Sequence, residues 1–298
     1  MRKLGHYCSQ IVKFIFILLP WKFNLFLGNA LRFVWLDLFS IRKKVIFENL
    51  EIAFPGLPTA TKEQYARQSV ETMTRSFFDV MKIPSLKLLE SEHRSKWIDE
   101  NVIFHGSEKI KTIPEGVLFL CLHLGSGDLA AAIVSSKVRP LALITKRFKG
   151  EFLDQFWFSL RGESKTQFID PHDPQNAFAL LKALKEKKGV CFVMDQFMGK
   201  PYGIESLFFG RATGTAHGLA LFALKTRHPV IPLYSRWHED GKFHIRFDDP
   251  VDFSGLIADD KEATISRMVN RLNSELERII RMYPGDWMWV HRRWKTFE

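Results

Sequence analysis

From residue 117 onward, the sequence alternates short, uninterrupted apolar runs with longer amphipathic stretches, and this alternation constrains the fold more than any other feature. A continuous apolar run of about four to eight residues is typical of a parallel strand covered on both faces. Strands are therefore predicted at Val117–His123, Pro140–Thr145, Gly189–Asp195 and Pro229–Ser235. A further strand is predicted at Lys242–Asp248, where apolar and polar residues alternate.

The stretches around these runs have the composition and length of helices. We expect helices at Lys62–Met81, Asp128–Ser136, Gly150–Arg161, Pro174–Lys188, Thr213–Thr226 and Ala263–Met282. A βαβα order implies an α/β fold with a mostly parallel central sheet flanked by helices. In such sheets, functional residues lie at the carboxyl ends of strands, and this is where the sequence places His123 and Asp195.

The first 50 residues combine positive charge with apolar side chains. They carry six of the ten net positive charges, and residues 11–39 are mostly apolar. Four charged residues and Pro20 interrupt the apolar stretch, which argues against a signal peptide and against a single membrane span. Two amphipathic helices lying in a membrane interface fit better, and a pair of core helices and a true single span stay open as alternatives. The predicted organisation is a basic, amphipathic membrane-associating segment at 1–50 and an α/β domain at 51–298.

One pair of residues has the context of a catalytic site. His123 ends a predicted buried strand, and Asp128 opens a helix beyond a glycine turn, so the carboxylate is expected to reach and orient the imidazole. A second H-x4-D pair, His244 and Asp249, has no such context, because the histidine lies within a strand and the acid precedes a proline. The alternative for the first pair is a structural histidine beside an N-capping aspartate.

Other classes of function have weaker signals. Gly125, Gly127 and Ala130 form a G-x-G-x-x-A turn between a strand and a helix, so an NADP-dependent dehydrogenase is an alternative, with Lys146 and Arg147 facing a 2′-phosphate. There is no G-x-S-x-G motif and no metal-ligand cluster of recognised spacing. The three cysteines form no CxxC, which suits a reducing compartment. We expect no metal ion, no cofactor and no nucleic-acid partner.

Several segments together resemble the bacterial lipid A biosynthesis (lauroyl/myristoyl) acyltransferases of the lysophospholipid acyltransferase superfamily. The segments that carry the resemblance are Glu48–Pro55, the pair His123 and Asp128, Arg161, Asp195-Gln196, Phe208–Gly218, Pro229–Pro232 and Pro284–Lys295. Many family members have an Asn and a Trp before the acid, where this chain has Ser126 and Gly127, so we expect a smaller pocket wall there.

The resemblance implies an O-acyltransferase at the cytoplasmic face of a bacterial inner membrane. Its donor would be an acyl thioester, carried by acyl carrier protein, and its acceptor a hydroxyl of a lipid A precursor or another glycolipid. His123 would be the general base, oriented by Asp128. Further roles are implied for residues that bind substrate: Arg161 for the oxyanion or a phosphate, Asp195 and Gln196 for polar groups in the pocket, and Lys146 and Arg147 for the acidic carrier protein. Arg292 and Arg293 are expected to bind lipid phosphates or, alternatively, to anchor the tail on the body.

Overall fold

The computed structural model describes residues 2–88, 91–162 and 164–298. Its strands are β1 (Val102–His105), β2 (Val117–Cys121), β3 (Leu141–Ile144), β4 (Gln167–Ile169), β5 (Gly189–Val193), β6 (Gly203–Phe208), β7 (Arg211–Ala216), β8 (Val230–Trp237) and β9 (Phe243–Phe247). Its helices are α1 (Arg2–Leu18), α2 (Lys22–Arg32), α3 (Lys43–Ala53), α4 (Thr59–Leu88), α5 (Ser91–Asn101), α6 (Ser107–Thr112), α7 (Gly127–Lys137), α8 (Glu151–Arg161), α9 (Asn176–Lys185), α10 (Gly218–Thr226) and α11 (Lys261–Met282), and a π-helical turn at Phe33–Leu38 follows α2.

The central sheet confirms the predicted fold class. Within the described residues it has seven strands in the order β1-β9-β8-β2-β5-β3-β4. The strands from β8 to β4 are parallel, whereas β9 runs antiparallel to β8 and pairs in parallel with β1. The five strands predicted from the sequence all form, and β2 and β5 lie side by side at the centre of the sheet.

Helices cover both faces of this sheet because successive strand residues point to opposite sides. Leu118 packs into a core that includes Leu184 of α9 and Leu272 of α11. Its neighbour Phe119 packs into a second core with Leu129 of α7. The continuous apolar run at β2 is thus explained by burial on both sides.

The N-terminal helices break at Pro20 and pack against the long helix α4. The amide of Asn24 donates to the buried carboxylate of Asp79 over 3.0 Å. Gly28 lies against the backbone of Arg75, where an added Cβ would come within 3.1 Å. The opposite side of these helices leaves large apolar side chains exposed, among them Phe14 and Phe26.

None of the described helices alone has the length and apolar composition of a membrane span. The pair Gln10–Leu18 and Lys22–Leu38 passes that test only together, with a bend of 116° between the two parts.

The structure differs from the sequence prediction at Thr213–Thr226, where α10 begins only at Gly218. Residues 213–216 belong to β7, which forms an antiparallel hairpin with β6. The physical reason is local packing: β-branched Thr213 and Thr215 are buried, and their hydroxyls bond to groups outside the hairpin, so an extended backbone is favoured.

The C-terminal tail is fastened to this hairpin by Arg293, so of the two roles expected for this side chain the structure favours anchoring of the tail over binding of a lipid phosphate. Arg293 is fully buried, and its guanidinium donates to the carbonyl oxygen of Gly214 over 2.7 Å and to the hydroxyl of Thr215 over 2.6 Å. Burial lowers the pKa of Arg293 to about 10, so the group is still charged at pH 7. Its neighbour Arg292 is exposed, and its role in binding lipid stays a prediction.

We expect Arg293→Met to lower the free energy of unfolding by about 2–4 kcal/mol, because the buried acceptors of β7 lose a charged donor. The exposed neighbour provides the matched control: Arg292→Met should change it by less than about 0.5 kcal/mol. Chemical denaturation followed by circular dichroism measures both. Equal, small effects would mean that the tail does not depend on this anchor.

Candidate active site

Two strand ends bring the central residues of the site together. His123 lies two residues beyond the end of β2, and Asp195 lies two residues beyond the end of β5. These strands are adjacent and parallel, with Cys121 opposite Val193, so the two side chains leave the sheet at the same edge. This is the edge at which α/β sheets bind their ligands.

Asp195 holds His123 by two hydrogen bonds. Its Oδ1 lies 2.9 Å from Nδ1 of the imidazole, and its Oδ2 accepts the backbone N–H of His123 over 2.9 Å. The carboxylate is 1% exposed, whereas the histidine side chain is 41% exposed. Because Nδ1 is occupied, Nε2 is the ring nitrogen left for a substrate. The amide nitrogen of Gln196 lies beside the ring, 3.5 Å from both nitrogens.

The structure corrects the expectation that Asp128 is the hydrogen-bond partner of His123. Oδ1 of Asp128 instead accepts from Nε and a terminal nitrogen of Arg161, over 2.8 and 2.7 Å. Asp128 lies in the first turn of α7, and Arg161 ends α8, so the two helix ends meet through this ion pair. Arg161 is also buried against the ring of Phe168 at 4.3 Å, which makes it a fixed part of the site wall.

The charges around His123 shift its protonation. Burial alone would lower the pKa of His123, but the Asp195 carboxylate outweighs it through charge and hydrogen bonding, and the charge of Asp128 adds to the effect, so the pKa is raised. Burial would raise the pKa of Asp195, yet the imidazole and the indole of Trp287 lower it. A histidine that accepts a proton during a reaction becomes an imidazolium, and a neighbouring carboxylate such as Asp195 stabilises that charge.

The C-terminal tail forms the back of the site, which sequence reasoning missed. The indole N–H of Trp287 donates to Oδ2 of Asp195 over 2.7 Å. The backbone N–H of Met288 donates to the carbonyl oxygen of His123 over 3.1 Å. Trp287 lies in the segment Pro284–Lys295 that carries the family resemblance, and the signal that points to its role is a buried carboxylate that needs a further donor.

Gly125 has a structural role that replaces its dinucleotide interpretation. Its φ is +68°, and an added Cβ would come within 1.9 Å of the carbonyl oxygen of Ser235 in β8. The glycine therefore lets the turn after β2 pack directly on the neighbouring strand. At Gly127, by contrast, an added Cβ would have no heavy atom within 4 Å, and φ does not lie in the left-handed region.

A mostly apolar cavity of about 400 Å³ opens beside His123. That volume lies in the range of small-ligand sites. Apolar lining residues of the cavity include Ala130, Ala131, Leu141, Leu143, Val193 and Trp157. Cys121 and Cys191 also line it, and a hydrogen bond with Cys191 together with burial raises the pKa of the Cys121 thiol, so this group stays protonated.

Lys146 and Arg147, the basic pair predicted to bind an anionic partner, differ in their surroundings. Lys146 is exposed and lines the cavity. Arg147 forms an ion pair with Asp154 at 2.5 Å, and the same carboxylate accepts the N–H of Phe148 over 2.8 Å. Lys146 is therefore the more available of the two for an anionic partner.

Comparisons with known proteins point to one family. A family profile described as "Bacterial lipid A biosynthesis acyltransferase" matches residues 1–296. The chain is 26% identical to the lipid A biosynthesis lauroyltransferase of Escherichia coli K12, covering 96% of this chain and 89% of that protein. It is 23% identical to a lipid A biosynthesis acyltransferase of Haemophilus influenzae, covering 86% of this chain and 78% of that protein. A solved structure, the 1-acyl-sn-glycerophosphate acyltransferase PlsC of Thermotoga maritima, aligns with a TM-score of 0.38 at 15% identity, over 87% of this chain and 97% of that one.

We expect the pKa of His123 to lie above the ordinary histidine value of about 6.5. Asp195→Asn should bring it below that value, because burial then acts without the compensating carboxylate. Asp128→Asn should lower it less, since this residue acts through charge alone, and Glu186→Gln should leave it unchanged. NMR titration of the imidazole carbon signals measures each pKa. A larger decrease in Asp128→Asn than in Asp195→Asn would restore Asp128 as the main partner.

Proposed function

This chain belongs to the bacterial lipid A biosynthesis acyltransferase family, and from that premise we propose how its own residues transfer a fatty acyl chain to a lipid A-type acceptor. The proposal is that an acyl thioester is the donor, that a hydroxyl of a lipid A precursor or related glycolipid is the acceptor, and that His123 is the general base. The observation that carries it is an imidazole fixed by a buried carboxylate at the mouth of an apolar cavity.

The proposed reaction is a direct transfer. Nε2 of His123 removes the proton from the acceptor hydroxyl as its oxygen attacks the thioester carbonyl carbon. The tetrahedral intermediate collapses, the carbon–sulfur bond breaks, and the imidazolium returns its proton to the thiolate. Asp195 stabilises the imidazolium while it exists, because its carboxylate is already bonded to Nδ1. The protonated thiol of Cys121 is in keeping with a reaction that has no acyl-enzyme intermediate.

Negative charge on the tetrahedral intermediate needs a donor beside His123. The Gln196 amide is suitably placed, at 3.5 Å from the ring. The first turn of α7 at Gly127 and Asp128 also lines the cavity, and the start of a helix favours negative charge. Arg161 is already bonded to Asp128, so we assign it to fixing that helix end and shaping the cavity rather than to binding the oxyanion.

We expect His123→Ala to lower kcat by about 10²–10⁴-fold without loss of folding, because it removes the base from a partly exposed position. The matched control is His172→Ala, an exposed histidine in a loop, which should keep full activity. Asp195→Asn should also lower kcat and move the acidic limb of the pH–rate profile to lower pH, since the imidazole then becomes neutral at lower pH. Acyl transfer from a radiolabelled thioester to a lipid A precursor measures all three. An active His123→Ala enzyme would rule out the proposed base.

The donor is proposed to be carried by acyl carrier protein, a small acidic protein, with Lys146 contributing to its docking. This lysine is exposed at the cavity, and opposite charges on two proteins speed their encounter. The same assay distinguishes the donors when both the carrier-protein and the coenzyme A thioesters are supplied. Lys146→Glu should raise KM for the carrier-protein donor selectively. Lys185→Glu, which changes an exposed residue of α9, should not. If Lys146→Glu leaves KM for the carrier-protein donor unchanged, Lys146 has no part in docking.

Membrane association is proposed to use an apolar N-terminal surface. Its members are exposed side chains of α1, α2 and the following turn: Ile11, Phe14, Ile15, Leu18, Phe26, Phe33, Leu38 and Phe39. The basic residues of the same segment supply attraction to anionic lipids. Because Asn24 is bonded to Asp79, deleting the whole segment would open the body, so point substitutions are the cleaner test.

Replacing Phe14 and Phe26 by Glu should weaken binding to phosphatidylglycerol vesicles by at least about tenfold, since each side chain contributes apolar burial that salt does not screen. Phe178→Glu is the matched control, because Phe178 is equally exposed but lies on α9. Vesicle co-sedimentation at low and high salt measures binding. Unchanged binding of the double variant would move the attachment surface elsewhere on the molecule.

A further inference from the structure

Three imidazoles and one carboxylate gather at the outer part of the sheet, apart from the candidate active site. His238 follows β8, Asp240 lies in the turn, and His244 lies in β9, while His105 ends the neighbouring strand β1. The antiparallel pairing of β8 with β9 and the parallel pairing of β9 with β1 bring these groups together. The proposed acyl transfer uses none of them.

The carboxylate of Asp240 lies between two imidazoles. Its Oδ2 is 3.1 Å from Nε2 of His244, and its Oδ1 is 3.3 Å from Nδ1 of His238. One donor atom from each of these three residues lies within 4.8 Å of the other two. Ligand atoms bound tetrahedrally to a zinc ion at about 2.0–2.1 Å are separated by about 3.3 Å, so the two measured contacts already have the required spacing.

His105 supports the arrangement from behind. Its Nε2 lies 3.1 Å from Nδ1 of His244, the ring nitrogen that faces away from Asp240. Nε2 of His105 can accept a hydrogen bond from the N–H at Nδ1 of His244, a tautomer that leaves the Nε2 lone pair of His244 available to a metal ion. Histidines that ligate metals are oriented in this way by a partner on their second nitrogen.

We propose that His238, Asp240 and His244 bind a divalent transition-metal ion of the zinc class, with His105 orienting His244. Two imidazoles and one carboxylate are a donor set that Zn²⁺ accepts, and a fourth position stays open to water. On metal binding, the contact between Nε2 of His244 and Oδ2 of Asp240 is replaced by bonds from both residues to the ion. His238 gives up a long hydrogen bond, 3.3 Å, from the backbone N–H of Asp240 if it binds through Nδ1.

The kinds of donor atom at this cluster limit the class of metal ion that it can bind. Oδ1 of Asp240 also accepts the backbone N–H of Lys242 over 2.8 Å, which fixes the carboxylate in the turn. Two neutral nitrogen donors and a single carboxylate disfavour Ca²⁺ and Mg²⁺, which take mostly oxygen ligands. The sequence contains the ligands as H-x-D-x3-H across a hairpin, so the pairing of β8 with β9 is what turns this spacing into a site.

Isothermal titration of the full chain, stripped with a chelator, tests the proposal with ZnCl₂ as the probe and MgCl₂ as the comparison. We expect one Zn²⁺ per chain, a raised Tm, and no saturable Mg²⁺ binding. His238→Ala and Asp240→Asn change side chains that are exposed, and circular dichroism checks that both variants are folded.

Each of these two variants should abolish the Zn²⁺ binding, and His105→Ala should weaken it by about 10–100-fold. His172→Ala is the matched control and should bind as the unaltered protein does. Absence of binding by the unaltered protein, or binding that survives in His238→Ala and Asp240→Asn, would overturn the proposal. Because His123 is unchanged in these variants, their acyl transfer reports on the proposed function separately.

Discussion

One buried carboxylate joins the three segments from which the candidate active site is built. Asp195 accepts hydrogen bonds from the backbone and ring of His123 and from the indole of Trp287. A carboxylate removed from water is costly unless its oxygens are bonded, so these donors are a condition of the fold as well as features of the site. The backbone N–H of His123 and the indole of Trp287 remain bonded to Asp195 when the imidazole is removed, so the fold depends mainly on these two donors.

This requirement explains why the C-terminal tail is so firmly held. The tail must present Trp287 behind β5, and it is fastened on both sides of that residue. Asp286 pairs with Arg236 of β8 at 2.5 Å, and Asn49 of α3 donates to the carbonyl oxygen of Trp289 over 2.7 Å. Farther along, the buried Arg293 ties the chain to the β6–β7 hairpin. The run of aromatic and basic residues at the end of the sequence is thus mainly a scaffold.

Sequence patterns predicted the sheet and the position of His123, because burial on both faces leaves continuous apolar runs whose ends define the edge of the site. The identity of the carboxylate partner was wrong for a physical reason. Spacing in the sequence favours a nearby residue such as Asp128, whereas the pairing of β2 with β5 brings Asp195 closer across 72 residues. The β6–β7 hairpin was missed likewise, and the sequence could not decide between two roles for Arg293, since the hydrogen bonds concerned are made with distant parts of the chain.

The N-terminal helices show how one segment satisfies two different surroundings. Their inner side packs against α4: Asn24 donates a hydrogen bond to the buried Asp79, and Gly28 allows the two helix backbones to approach closely. Their outer side leaves Phe14 and Phe26 exposed, which a soluble surface would not favour over so many neighbouring residues. A segment under both constraints must interrupt its apolar residues with polar ones, and this produces the broken hydrophobic pattern of residues 11–39. The charges within this stretch are in this sense partly a consequence of packing on the body, because Lys13 donates to the carbonyl oxygen of Ser159 near the end of α8.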